Sequence, residues 1–590
     1  MKMKKVVYAV FIALAMICLV SCSGSDKKSA KDTVEITWWI PKAEDSTYYM
    51  SYEENPGVRQ LETMEFNGHK VSLKFTVPIS GSERDNFNTL MMTEDYKMIF
   101  DMSFCTSSPM ELLEDGVIWD LTPYMEEYMP HYMQIIKSDE SLAPYVYNSV
   151  NGEKKILSLY SITNETLGNF MGLNYRRDWV AKYGTNPKTG AKFTYGYTDP
   201  SDYNTYYDDV VFPSGGNDPI YVSDWEWMFG IFEKAIADLG ITDGYCISLY
   251  YKGFSEAGGN FDAAFGGGTP MWFRNKSGNA EFGGTSEALK TYLQMMNSWY
   301  QKGWLDKNFA EHTADQIYAI ESAKMNSGKV GAFVGRRGNS GGQMDNGDKL
   351  TEGIMVYGAP PAINDVYGSD AVKNNEPYSL YQYSHLRGNL CISKKASEEE
   401  LKTIMSMLDY LYTEEGGCIL AFGLTKEQND ILQDPTYAKY NLTEGAYNKE
   451  VLADGRIAYH RDVKLVDDND LASAMAAKRL TIGYYSPGFV PALNESYTKC
   501  ALYNMAQWDK YYNTGYIDKA LQNQFTSDEA ATYSKVYANV DTYMAQNIPK
   551  FITGALNVNG ADWDNYCKML TKYSPDKVTK IYQRIFESVK

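Results

Sequence analysis

Apolar and polar positions alternate in "VEITWWI" (34–40), with Val34, Ile36, Trp38 and Ile40 on one side and Glu35, Thr37 and Trp39 on the other. A period of two predicts a strand. "KVSLKFTV" (70–77) repeats the pattern, setting Val71, Leu73, Phe75 and Val77 against Ser72, Lys74 and Thr76, and a helical stretch over 87–92 follows. "KMIFDMSF" (97–104) is a short apolar run, succeeded by a turn at Ser107, Ser108 and Pro109 and a helix holding Leu112 and Leu113. Strands that alternate with helices predict crossover connections, a mainly parallel sheet and an α/β fold.

Later helices carry a period of 3.6. Leu401, Ile404, Met405, Leu408, Leu411 and Tyr412 share one face, Ser397 and Glu400 form a capping box, and Gly416 with Gly417 is expected to end the helix. Leu289, Tyr292, Leu293, Met296 and Tyr300 make a second stripe, with Lys302 in the last turn and Gly303 as the stop. Such stripes are core. Stretches rich in Gly, Asp and Tyr at 196–223, 258–269, 335–348 and 429–468 read as long loops, either ligand-contacting or surface insertions. No repeat of solenoid period is present.

The start of the chain reads differently. Lys2, Lys4 and Lys5 precede an uncharged run from Val6 to Val20, closed by Ser21 and Cys22. This is the pattern of an export signal, too short for a comfortable membrane span. "LVSC" (19–22) resembles the lipobox of bacterial lipoproteins, which implies cleavage before Cys22 and a lipid on its thiol. Residues 23–32, rich in Ser and Lys, read as a flexible leash. No later apolar run is long enough to span a bilayer, so the remainder is expected to be a soluble body held at a membrane surface.

Composition narrows the partners. With 44% hydrophobic and 14% aromatic residues the body can build sizeable cores. A formal charge of −19, with no Lys/Arg-rich cluster, argues against nucleic acid. Cys105, Cys246, Cys391, Cys418, Cys500 and Cys567 are scattered without a CxxC pair, which fits neither a zinc site nor a small disulfide scaffold.

The order of segments resembles the family 1 extracellular solute-binding proteins, the carbohydrate-type receptors of bacterial ABC importers, in their large lipoprotein subgroup. "VEITWWIP" is similar to their first strand. "IFDMSF" with "LLEDGVIWDLTPYM" is similar to a region carried here by Asp101, Gly116, Asp120, Leu121, Thr122, Pro123 and Tyr124. "NGEKKILSLY" (151–160) resembles the entry to the first hinge, "LNYRRDWVAKYG" (173–184) the start of the second lobe, and "WYQKGWLD" (299–306) a helix end there. "SGKVGAFVG" (327–335) resembles the strand leading to a ligand loop, and "YLYTEEGG" (410–417) a late helix end.

The resemblance implies a two-lobed periplasmic-binding-protein-like α/β fold, with a hinge and a ligand cleft between the lobes. Expected divisions are a signal peptide (1–21), a lipidated leash (22–33), lobe one (34–158, returning at 383–425), lobe two (159–382) and a C-terminal helical part (426–590) mainly with lobe two. The implied function is a monomeric, lipid-anchored receptor facing the periplasm or cell exterior. It captures a saccharide, expected to be an oligosaccharide, for ABC permease subunits, without cofactor or metal.

Sugars present flat CH faces and many hydroxyls, so their sites combine aromatic platforms with directed polar groups. With 49 Tyr and 11 Trp, both are plentiful. Trp39 ends the first strand, where clefts open in doubly wound sheets. Glu83 and Arg84, in "SGSERDNF" (80–87), occupy the next such position, and Tyr160 follows the hinge-like stretch. Phe254 and Trp272 flank the Gly-rich "AGGNFDAAFGGGT" (257–269). Arg336 and Arg337 stand where the resemblance implies an aromatic ligand residue, and so raise the expectation of an acidic saccharide. Each of these residues also has a reading as core, solvated loop or internal ion pair.

Two other classes stay open: a surface glycan-degrading enzyme and an adhesive or structural lipoprotein. Gly338 to Gly342 match G-x-S-x-G, but "GQMDNGDKL" beyond lacks the periodicity of the helix an elbow needs. Five His, none in H-E-x-x-H, give no zinc hydrolase motif. With 75 Asp and Glu, a carboxylate pair is inevitable and discriminates nothing. "DDND" (467–470) lacks the glycine and closing Glu of an EF-hand and reads as a solvated turn.

Overall fold

Alternation in the strand Thr33–Trp39 divides its side chains between two environments. Ile36 and Trp38 enter a large core, while Trp39 enters a small cluster on the other face with Phe87, Phe100, Leu157 and Cys391. The computed structural model describes residues 33–42, 46–48, 50–139, 142–150, 152–163, 171–199, 205–248, 261–267, 269–311, 328–336, 354–378, 386–477, 480–495, 499–510 and 515–588. The signal, the leash up to residue 32, Cys22, Phe254, Arg337 and the 338–342 motif lie outside them.

The larger sheet has seven strands in the order Tyr484–Tyr485, Leu159–Thr163, Leu386–Ile392, Ile99–Asp101, Thr33–Trp39, His69–Thr76, Glu65–Phe66. Thr33–Trp39 runs parallel to both neighbours, whereas Leu386–Ile392 is antiparallel to both of its own. The expected mainly parallel sheet is therefore mixed. The reason is the return path: Leu386–Ile392 comes back from a second sheet instead of following a crossover helix. That second sheet has the order Tyr245–Ser248, Val330–Arg336, Met171–Arg176, Val356–Gly358.

Each sheet has its own core. The first gathers Ile36, Leu73, Leu159, Leu390, Leu408, Tyr437, Met475 and Ile482; the second gathers Leu173, Trp225, Trp299, Val334, Leu521, Met544 and Ile585. The chain thus has two lobes, and it passes between them from Thr163 to Met171, from Gly358 to Leu386, and from Tyr485 to Lys499. Residues 437–492 pack in the first core, and residues 521–586 of the same C-terminal part pack in the second, after the strand Tyr484–Tyr485. After that crossing, helix Lys499–Trp508 docks on the second sheet. Its Trp508 Nε1 donates to Leu173 O at 3.0 Å, and Asn504 Oδ1 accepts from Gly358 N at 2.6 Å.

Helix Glu287–Lys302 stops at Gly303 as its pattern predicts, and helix Glu398–Tyr410 starts on the Ser397/Glu400 capping box. Gly416 and Gly417 do not end that helix. They lie inside a second one, Glu414–Ala421, where a Cβ on Gly416 would sit 2.0 Å from Tyr410 O and one on Gly417 2.7 Å from Tyr484 O. Glycine serves close packing there. The stretch 429–468 is likewise no loop: it holds helix Pro435–Lys439, a hairpin of Tyr447–Val451 with Ile457–Arg461, and helix Val463–Asp467.

Candidate functional site

In the first lobe the ends of Thr33–Trp39, His69–Thr76 and Ile99–Asp101 carry the expected positions. Trp39 is 1% exposed; its ring packs edge-on against Phe87 at 5.0 Å and its Nε1 donates to Asn86 Oδ1 at 2.9 Å. Asn86 belongs to helix Glu83–Met92, so Trp39, Glu83 and Arg84 share one corner of the lobe. Glu83 is half-buried and turned back, accepting from Gly81 N at 2.8 Å, while Arg84 is exposed. Next to this corner Asp101 is 3% exposed and accepts from Ser103 N at 2.7 Å and Thr481 Oγ1 at 3.1 Å. Burial raises its carboxyl above the usual carboxylate range.

Tyr160 is buried in the strand Leu159–Thr163, three places along the sheet from Thr33–Trp39. Its hydroxyl, pushed up to about 12 by burial, bonds Ser158 and accepts from Asn523 Nδ2 at 3.2 Å. Asn523 lies in the turn Lys519–Gln524, whose Leu521 enters the second core. The turn therefore reaches from lobe two to lobe one. Asn148 Nδ2 donates to Asn523 O at 3.1 Å, Gln524 Nε2 donates to Tyr145 O at 3.4 Å, and Tyr145 packs against both cores.

The other face of the same turn borders a cavity that Trp272 also lines. This cavity of about 300 Å³ is lined by Trp272, Tyr516, Tyr533, Tyr537 and Tyr582, with Thr269, Lys519 and Gln522 as polar groups. Trp272 pairs across its hairpin with Phe282 at 5.0 Å, stacks with Tyr537 at 6.4 Å and donates Nε1 to Pro575 O at 3.2 Å. Gln522 Nε2 donates to Tyr533 Oη at 3.1 Å, and Tyr533 shares a hydroxyl hydrogen bond with Tyr582. Aromatic faces beside an amide and phenol hydroxyls suit a ring with apolar faces and a polar rim.

The turn thus links Tyr160 to Trp272, whereas Trp39, Glu83 and Arg84 form a separate group. Arg336 ends the strand Val330–Arg336 opposite Met171, with its side chain outside the described residues, as are Phe254 and Arg337. The sequence reading missed Tyr533, Tyr537, Tyr582 and Gln522. The available signal was the i, i+4 spacing of Tyr533 and Tyr537 beside the buried stripe Val536, Val540, Met544 and Ile548. In "DDND" the Asp468 carboxylate caps helix Asn469–Met475 through Leu471 N at 3.0 Å and accepts from Tyr48 Oη at 2.6 Å. Among the described residues no group of three His, Cys, Asp or Glu side chains is placed to hold a metal ion. Cys105, Cys246, Cys391, Cys418 and Cys567 are free thiols.

Solved structures match this chain over 94–95% of its length. An extracellular solute-binding protein from Bifidobacterium longum subsp. infantis superposes with a TM-score of 0.66 at 13% identity, covering 95% of this chain and 99% of that one. The chain has the solute-binding-protein fold. An S. pneumoniae ABC-transporter substrate-binding protein in complex with kestose is similar at TM-score 0.59 and 14% identity, over 94% of this chain and 99% of that one. The alginate-binding protein AlgQ2, without calcium ion, is similar at TM-score 0.58 and 14% identity, over 95% and 99%. No protein-family model and no curated protein matches the chain. Among the described residues no helix is long and apolar enough to cross a membrane.

Proposed function

We propose that this protein is an extracytoplasmic solute-binding lipoprotein that captures a saccharide between its lobes and delivers it to an ABC importer. The observation that carries the reading is the pair of separate cores joined by three crossings, in the fold of structures whose names specify kestose and alginate. The aromatic cavity at Trp272 adds chemistry suited to a sugar. Capture follows from the architecture: a ligand touching both lobes favours the closed arrangement by its extra contacts there. In this reading Trp272, which lines the cavity, offers a ring to the sugar, Tyr160 is joined to the cavity's turn through Asn523, and Glu83 and Arg84 would supply polar groups at the lobe-one edge.

A thermal-shift screen of oligosaccharides tests the reading, because a ligand that binds only the folded state raises its melting temperature. Small-angle scattering of the saturated complex is expected to show compaction. A glycan-degrading enzyme would instead release reducing ends, and an adhesin would lack saturable binding of a small ligand. The tether is tested separately: Cys22→Ala is expected to leave a protein that no longer partitions into detergent, and unchanged partitioning refutes the lipid anchor. Arg336 and Arg337 keep the expectation of an acidic saccharide, which calorimetry on matched acidic and neutral oligomers decides.

A further inference from the structure

The turn Lys519–Gln524 has two working faces. Lys519 and Gln522 border the cavity, while the next residues, Asn523 and Gln524, hold the first lobe. In a 3₁₀ turn successive side chains point about 120° apart on a tight backbone, so a shift of the backbone at Gln522 carries Asn523 with it. The turn is also fixed from behind: Arg584 forks onto Glu529 at 2.8 and 2.7 Å and donates to Gln524 O at 3.0 Å.

We propose that the cavity receives a single sugar ring, stacked on Tyr537 and Trp272 with its hydroxyls on Gln522 and Tyr533, and that the turn carries this occupancy to Tyr160 in the first lobe. The proposal rests on the saccharide reading. The cavity's volume of about 300 Å³ lies at the small end of ligand pockets and gives room for one ring. Its walls are preorganised, because Trp272 is held by Phe282 and Pro575 O and Tyr533 is held by Gln522 and Tyr582. The ring end of an oligosaccharide would thus be read in lobe two, and Asn523 would report it to the strand Leu159–Thr163.

The test uses the full-length chain in detergent, screened against kestose, neutral gluco-, manno- and galacto-oligosaccharides, and alginate oligomers. The tightest binder is then measured by calorimetry and hydrogen exchange. Gln522→Leu and Tyr537→Ala are each expected to weaken it by about tenfold. Asn523→Ala, which leaves the cavity intact, is expected to abolish the ligand-induced exchange protection of Leu159–Thr163. If Tyr537→Ala lowers the melting temperature of the unliganded protein, Gln522→Leu carries the cavity test. Affinities within about twofold of the parent in the cavity variants, or protection that survives Asn523→Ala, overturn the proposal while leaving saccharide capture standing. Binding of no saccharide overturns both.

Discussion

Asn523, in a turn whose neighbour Leu521 is buried in the second core, donates its side-chain N–H to the hydroxyl of Tyr160, a residue of the first core, at 3.2 Å. This bond joins the two lobes through side chains, in addition to the backbone crossings.

A double-mutant cycle isolates that link. Tyr160→Phe and Asn523→Ala are each expected to cost about 0.5–1.5 kcal/mol in urea unfolding. The double variant should cost less than the sum, since both singles delete the same bond. Strict additivity contradicts a working contact.

Docking of helix Lys499–Trp508 depends on the bare backbone at Gly172, where an added Cβ would lie 2.3 Å from Trp508 Cδ1. Gly172→Ala is expected to cost about 1–3 kcal/mol, the scale of overpacking a filled site. Thermal unfolding measures it, and an unchanged midpoint would show that the indole has room to shift.

The pH dependence of stability should show Asp262. Burial pushes its carboxyl from an ordinary value near 3.8 up to about 6, although part of its surface reaches solvent. The folded state holds this proton more tightly than the unfolded chain. Its contribution is therefore complete below about pH 4 and is lost as pH rises through about 6. The full shift corresponds to about 3 kcal/mol, which solvent contact reduces to roughly 1–2. Asp262→Asn is expected to be more stable than the parent by that amount at pH 7 and equal to it at pH 4, as read by urea titrations at both values.

The elements legible in the sequence were those whose signal is local. Period two in 34–40 sorted Ile36 and Trp38 from Trp39, and Ser397 with Glu400 marked a helix start; both follow from backbone geometry over a few residues. Gly416 misled because its lack of a side chain serves a close approach to Tyr410 O, a tertiary fact. The hairpin Tyr447–Val451 with Ile457–Arg461 was hidden because most of its first strand faces water, which removes the apolar alternation. In the cavity, Trp272 was singled out by the glycine-rich stretch beside it. Its partners Tyr533, Tyr537 and Tyr582 come from two helices near the end of the chain, and only the fold brings them together.

Calorimetry paired with a reducing-end assay most directly tests saccharide capture without chemistry. Saturable binding of one oligosaccharide per chain is expected, with no release of reducing ends on long incubation. Failure of every oligosaccharide in the panel to bind, or a steady appearance of reducing ends from the one that does, would contradict it.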